Sequence, residues 1–451
     1  MDGFPDLALA VRAPDPHNAI YFSIEPMMVD RRTFVRSLAV TAPAFSPKAI
    51  RYLTQATRSG PGAGAPDDED YWQVIQRSFD CDRTMINLNN GGVSPSPTVV
   101  LEQMMRDLRF SNELPVEHMW RTLEPRVESV RSGLAAQFGC DPEEMAITRN
   151  ASEANETMIL GMDLKRGDEV IVSDQNYGRM ITTWKQRARR DGIVVKTISF
   201  EVPPPSQQYI VDRFAAAITP RTRAIEVTHI TNLTGQILPV RDIIAMARPK
   251  GIAVFVDGAH AFAHFPFDRD SLDCDYYGTS LHKWLLAPIG TGFLYVRRNQ
   301  INGLWPMMAA PEEMNANIRK YEEIGTHPAA NHNAISVALT FHQAIGADRK
   351  VARLRYLRDR WAVPLQASSD RVKILTPLNS PDSAAIGFVT IAGLDPAKLQ
   401  AWLLNQQRIV TTVIVHPQFS GLRITPNVYT TTAEIDTFTT QVLTAMRTGL
   451  T

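Results

Sequence analysis

The sequence predicts an α/β fold, a mostly parallel seven-stranded sheet flanked by helices and followed by a smaller α+β C-terminal domain. Three observations carry this expectation. Short β-branched runs alternate with helical patterns from about residue 143 onward, the rhythm of strand–helix–strand crossovers. Hydrophobic residues make up 44% of 451 positions, enough for one large core and a smaller partner. Beyond about Pro311 the alternation gives way to a long helical stretch, Asn333 to Ala344, and then to a mixture of strands and helices ending at Thr451.

The strands expected are Glu143 to Thr148, Glu169 to Ser173, Val194 to Ser199, Thr222 to Thr228, Ile252 to Asp257, Tyr276 to Ser280 and Gly292 to Val296. Helices fit the intervals Ala154 to Leu164, Met180 to Asp191, Asp212 to Ile218 and Val240 to Arg248. A sheet of this kind receives ligands at the carboxyl ends of its strands.

Lys plus Arg and Asp plus Glu both total 47, so the net charge is +0 and no basic surplus draws in nucleic acid or anionic lipid. Small-molecule chemistry is favoured. No stretch approaches the length needed to span a bilayer. The three cysteines, Cys81, Cys140 and Cys274, form no C-x-x-C pair and suit small buried apolar positions. Near the amino terminus, Asp30-Arg31-Arg32-Thr33-Phe34-Val35-Arg36 precedes a mildly apolar run, Ser37 to Phe45, with Met27 and Met28 just upstream. This resembles a twin-arginine export signal with an internal start, although Pro43 breaks the run; the alternatives are a periplasmic destination or a plain leader on a cytoplasmic protein. The Gly/Pro/Ala run and acids from Gly60 to Asp70 read as a linker. The organisation expected is a leader over 1–66, an N-terminal arm and large domain over 67–310, and a small domain over 311–451.

The richest chemistry lies in Val254-Phe255-Val256-Asp257-Gly258-Ala259-His260 and in Asp273 through Trp284. Asp257 falls where a buried strand emerges at a ligand crevice, and a carboxylate there can hold a protonated pyridine nitrogen. Lys283, after the next strand, is placed to form an imine. Taken singly, an Asp after a strand is more often a cap or turn residue, and a lone Lys a solvated charge. Their spacing and context change those odds.

These segments resemble the lysine signature of the class V aminotransferase family, the fold-type-I enzymes dependent on pyridoxal 5′-phosphate (PLP), and within it the isopenicillin N epimerase-like branch. The resemblance runs from about Asn87 to Thr432. It implies that Lys283 carries PLP as a Schiff base, that Asp257 faces the pyridine nitrogen, that His260 lies near the phenolic oxygen, and that Ser280 and His282 bond the phosphate.

Upstream, Thr148-Arg149-Asn150-Ala151-Ser152-Glu153-Ala154-Asn155 leaves a strand and opens a helix, whose first N–H groups have no intrahelical partner and favour an anion. Alone this is a helix cap; beside the family resemblance it becomes the phosphate cup, using Ser152 and Glu153 through their amides. The resemblance also assigns Tyr177 as a ring stacked on the cofactor and a catalytic residue, and Asn232 as a partner of the phenolic oxygen. Asn90 falls in a substrate loop, Asn89 to Pro95. Thr326, in Glu323-Ile324-Gly325-Thr326-His327, falls in a loop that crosses a dimer interface to the neighbour's phosphate. Arg423, in Gly421-Leu422-Arg423-Ile424-Thr425-Pro426-Asn427-Val428-Tyr429, is implied as the grip on the substrate carboxylate, a bidentate match of guanidinium and carboxylate. His327 and Asn427 depart from the residues often found there, so substrate identity is the part least specified.

The reaction expected is PLP chemistry at the α-carbon of an amino acid or amino-acid derivative, of epimerase or carbon–sulfur lyase type, in a homodimer. A class V aminotransferase is the alternative within the family, and a non-catalytic α/β binding protein the alternative outside it. Desulfurases of the family use a mobile Cys between the PLP lysine and the carboxylate Arg, and no Cys follows Cys274 here.

Overall fold

The computed structural model describes residues 64–450, all within one compact unit, Ala44–Thr451. The twin-arginine-like segment and most of the leader lie outside the described residues. The end of the expected linker is ordered for a physical reason: Asp68 caps the helix Glu69–Gln76 by accepting from Tyr71 N–H, and Glu69 and Asp70 lie in its first turn, where acids favour the helix dipole. Arg353 fixes this start through Glu69 and the Pro66 carbonyl.

The strands in chain order are β1 (Ile86–Asn87), β2 (Met145–Thr148), β3 (Glu169–Ser173), β4 (Val194–Ile198), β5 (Thr222–Thr228), β6 (Ala253–Asp257), β7 (Tyr276–Ser280), β8 (Gly292–Val296), β9 (Val372–Ile374), β10 (Gly387–Ile391), β11 (Ile409–Val410), β12 (Thr412–His416) and β13 (Phe419–Ile424). The main sheet has seven strands in the order β2-β8-β7-β6-β5-β3-β4. Strand β8 runs antiparallel to both β2 and β7, and the other pairings are parallel. Strands β3 and β8 are buried on both faces, which is why Val170-Ile171-Val172 and Phe293-Leu294-Tyr295-Val296 read as continuous apolar runs. Alternate residues feed two apolar layers: Ile171, Ile225, Val254 and Val256 pack into one, and Val170, Val172, Ala224 and Phe255 into the other. The strands and helices agree with the expected intervals to within a few residues, apart from the helix Gln207–Ala217, which starts five residues early because Ser206 caps it.

A four-stranded antiparallel sheet, β12-β13-β10-β9, forms the C-terminal domain with the helices Ala347–Ser368, Pro396–Gln407 and Thr432–Thr448. The helix Ala329–Ile345 instead lies against Thr98–Glu113 and Val127–Phe138, so chain allegiance changes at Gly346, whose φ of 88° lets the backbone turn between the two helices. The N-terminal arm is stitched to this C-terminal region: β1 pairs parallel with β11, and Asn89 bridges Thr425. That pairing sets Gly91 against Thr425 and Arg423.

Candidate active site

The carboxyl ends of β2, β3, β5, β6 and β7, the N-terminal arm and β13 converge on one cavity of about 300 Å³. Of the residues singled out from sequence, Ser152, Tyr177, Asn232, Asp257, His260, Ser280, His282, Lys283 and Arg423 line it.

One wall is the start of the helix Ala151–Gly161. Asn150 caps it, its side chain accepting from Glu153 N–H at 2.9 Å. Ser280 Oγ, at the end of β7, accepts from Ala151 N–H at 2.9 Å and ties this helix start to the sheet. Two glycines permit the approach. A Cβ on Gly292 would lie 2.8 Å from the Asn150 backbone, and one on Gly278 would lie 2.3 Å from Asn155 Oδ1. Asn155 thereby reaches Asp257, which Gly278 opposes across the β6–β7 register. Ser152 lines the cavity in the first turn of this helix, a place suited to phosphate.

Asp257 ends the central strand and is 2% exposed. Burial lifts its carboxyl above the usual range, although bonds from Ala259 N–H and Asn155 and the nearby Lys283 charge oppose the rise. Lys283 Nζ lies 3.1 Å from His260 Nε2. Desolvation lowers the Lys283 pKa to about 8 against the pull of Asp257, and Arg423 lowers it further, so a useful fraction is free amine near neutral pH. His282 places Nδ1 3.2 Å from Thr291 O, and burial holds it down to about 4. With Nδ1–H donated to that carbonyl, Nε2 can donate to a phosphate only when the ring is protonated, which the phosphate's own charge would favour.

Arg423 lies on β13, 6% exposed, with one terminal nitrogen on Asn232 O and the other on Asn89 Oδ1, both at 2.9 Å, and Nε without a partner. Burial lowers it to about 10, and among the described residues no carboxylate bonds it. A buried guanidinium satisfied only by neutral acceptors is a ready anion site. Tyr177, 41% exposed, presents its ring to the cavity at the start of the helix Gly178–Asp191.

Two residues expected at this cavity, Asn90 and Glu153, do not line it, and Thr326 was expected at a neighbour's cavity. Asn90 is wholly buried behind the wall, donating to the Asn87 and Thr425 carbonyls and accepting from Tyr429 OH; its neighbours Gly91 and Gly92 line the cavity instead. Glu153 spends its amide on the Asn150 cap and its carboxylate on Arg149. Thr326 is exposed on a loop away from the cavity. Sequence reasoning missed Asn155, Thr228 and Glu226. Thr228 lines the cavity opposite Asp257 with an unpartnered hydroxyl. Glu226, two residues earlier on the same face of β5, is 2% exposed; Trp184 Nε1 donates to its Oε2, and Oε1 has no partner. Burial, with Asp257 nearby, raises it to about 8.

The donor set suits PLP. A buried carboxylate, an amine of lowered pKa, an open helix start with a serine hydroxyl, and the unpartnered Thr228 hydroxyl and Asn155 carbonyl would meet its pyridine nitrogen, aldehyde, phosphate and ring substituents.

Residues 86–438 match the family model described as Aminotransferase class-V. The isopenicillin N epimerase of Streptomyces clavuligerus is 30% identical over 383 residues, covering 81% of this chain and 96% of the relative. A protein of Synechocystis named probable cysteine desulfurase is 27% identical over 384 residues, covering 78% and 89%. Among solved structures, a cysteine desulfurase from Escherichia coli shares the fold with a TM-score of 0.72 at 22% identity, covering 83% of this chain and 98% of that one.

Proposed function

The chain belongs to the aminotransferase class-V family and is a PLP-dependent enzyme, and on that premise we propose that Lys283 is its PLP lysine and that it acts at the α-carbon of an amino acid or amino-acid derivative, with chemistry of the epimerase or carbon–sulfur lyase type. The observation that carries the reading is the convergence of Asp257, Lys283 and Arg423 on one cavity. When bound, PLP supplies an electron sink for the electron pair left on the α-carbon.

The side chains then divide the work. Ser280, His282 and the Ser152 amide hold the phosphate, while Asp257 keeps the pyridine nitrogen protonated. Tyr177 supports the ring. Arg423 takes the substrate carboxylate and so decides which bond at the α-carbon stands perpendicular to the ring. Lys283, as free amine, removes or returns the α-proton.

The epimerase reading draws on the Streptomyces clavuligerus relative, and the lyase reading on the desulfurase-named one. A desulfurase with a cysteine nucleophile between Lys283 and Arg423 is disfavoured, because no Cys follows Cys274. Transamination is the second reading, favoured by the family model's description. All of these chemistries begin with loss of an α-substituent, usually the proton. Incubating the purified chain with PLP and candidate amino acids in deuterated water should show α-proton exchange. Loss of optical purity without keto acid supports an epimerase, released thiol or pyruvate a lyase, and conversion of PLP to its amine form a transaminase. No turnover or exchange with any amino acid would leave only a binding protein and sink the proposal.

The working unit we propose is a homodimer. Leu114, Val116 and Trp120 are exposed apolar residues in consecutive turns after the helix Thr98–Glu113, and the Gly325–Thr326 loop stands free of its own cavity. Sedimentation at assay concentration should give twice the chain mass; an active monomer contradicts this.

A further inference from the structure

Behind Lys283 stands a column of rings that the proposed chemistry does not use. Trp284, wholly buried, lies flat on the His264 imidazole, with centroids 3.6 Å apart and planes 4° from parallel. Its indole N–H donates to His260 Nδ1 at 3.4 Å, while the other ring nitrogen, Nε2, faces Lys283 Nζ at 3.1 Å. His264 is committed on both sides. Its Nε2 accepts from Ala385 N–H at 2.9 Å, so its proton sits on Nδ1 and goes to the His260 carbonyl at 2.8 Å. The Trp284 carbonyl in turn accepts from Lys350 Nζ, itself buried in the helix Ala347–Ser368. The indole therefore has little freedom to turn away from His260.

An indole nitrogen donates and never accepts. The His260 nitrogen that meets it must be the acceptor, and a neutral imidazole with Nδ1 accepting carries its proton on Nε2. We propose that Trp284 is a positioning residue that fixes the tautomer of His260, so that an Nε2–H bond faces Lys283 and favours its neutral amine. The opposite tautomer would set two N–H donors against each other between Trp284 and His260, and would offer Lys283 an acceptor that suits an ammonium. One indole proton thus decides whether the lysine meets a donor or an acceptor. A charged His260 is opposed by burial and by Lys283, Arg423, His264 and His282 around it.

The consequence for Lys283 rests on its being the PLP lysine; the tautomer itself does not. The first measurement is nitrogen NMR on the full-length wild-type chain, freed of PLP and labelled at histidine, with the His260 signals identified by their loss in His260→Gln. A protonated Nε2 and bare Nδ1 are expected, and a protonated Nδ1 overturns the proposal. The second uses Trp284→Phe, which keeps a ring against His264 and removes the donor. The pH midpoint for covalent attachment of added PLP should rise by about one unit, the worth of one buried hydrogen bond expressed as a pKa. An unchanged midpoint in a folded variant also overturns it, and if the variant does not fold the wild-type spectrum decides. A wild-type chain that never attaches PLP at Lys283 defeats the proposed function instead, and the tautomer measurement still stands.

Discussion

Replacing Glu226 by Gln tests whether a second, neutral acid lies beneath Asp257. The side chain is buried, touches no cation, and holds its proton to about pH 8, whereas in the unfolded chain a glutamate ionises near 4.5. As pH rises through that window the unfolded state releases a proton that the folded state keeps, so wild-type stability falls from about pH 4.5 to 8 and then levels. The full difference of about 3.5 units corresponds to roughly 5 kcal/mol at ~1.36 kcal/mol per unit. Gln keeps an oxygen for the Trp184 N–H but brings an amide that must find its own partner, at a cost of about 1–3 kcal/mol, so a net gain of roughly 2–4 kcal/mol over the wild type is expected at about pH 8. Near pH 5 most of that gain is gone, and the cost of the amide dominates. Urea unfolding of the cofactor-free, full-length chains at about pH 5, 6.5 and 8 reads the difference. A gap between the two midpoints that does not change with pH would show that Glu226 is ionised in the folded protein, and that the reasoning about its burial is wrong.

Lys283→Ala should remain folded, because Lys283 lines a cavity rather than the core, and should yield no borohydride-fixed PLP adduct by mass spectrometry; an adduct on another lysine refutes the assignment. Arg423→Ala removes a charge-assisted bidentate contact, so kcat/KM for α-carboxylate substrates should fall by about 10–150-fold, the equivalent of ~1.5–3 kcal/mol. Unchanged kinetics would place the carboxylate elsewhere.

The main sheet was legible because most of its strands carry short apolar or β-branched stretches bounded by turn chemistry, and Asp257 and Ser280 stand where β6 and β7 end. Helix starts were less legible: the phosphate-side helix begins at Ala151, three residues before the expected Ala154, because Asn150 caps it and the polar first turn masks the apolar period. The β1–β11 pairing joins two-residue strands more than 300 positions apart and carries no local signal, yet it is what brings Gly91 to Arg423 and turns Asn90 into the wall. Glu226 looked like a strand residue. Only the register of β5 with β6, which sets Thr228 opposite Asp257, reveals an acid beneath the site.

The charges in the cavity also couple its two ends. Arg423 has no carboxylate partner among the described residues, and its positive field is one reason the Lys283 amine is easily deprotonated. That field helps while Lys283 must be a nucleophile. If Arg423 takes the substrate carboxylate, as proposed, the pair would be nearly neutral as seen from Lys283, and the depressing influence would be lifted. The Lys283 amine would then be more basic than in the empty cavity, which would suit removal of an α-proton. A substrate without the carboxylate would leave Arg423 unpaired and Lys283 the weaker base. Selectivity for α-carboxylates would therefore be felt in turnover as well as in binding, through one electrostatic link between Arg423 on β13 and Lys283 in the turn after β7.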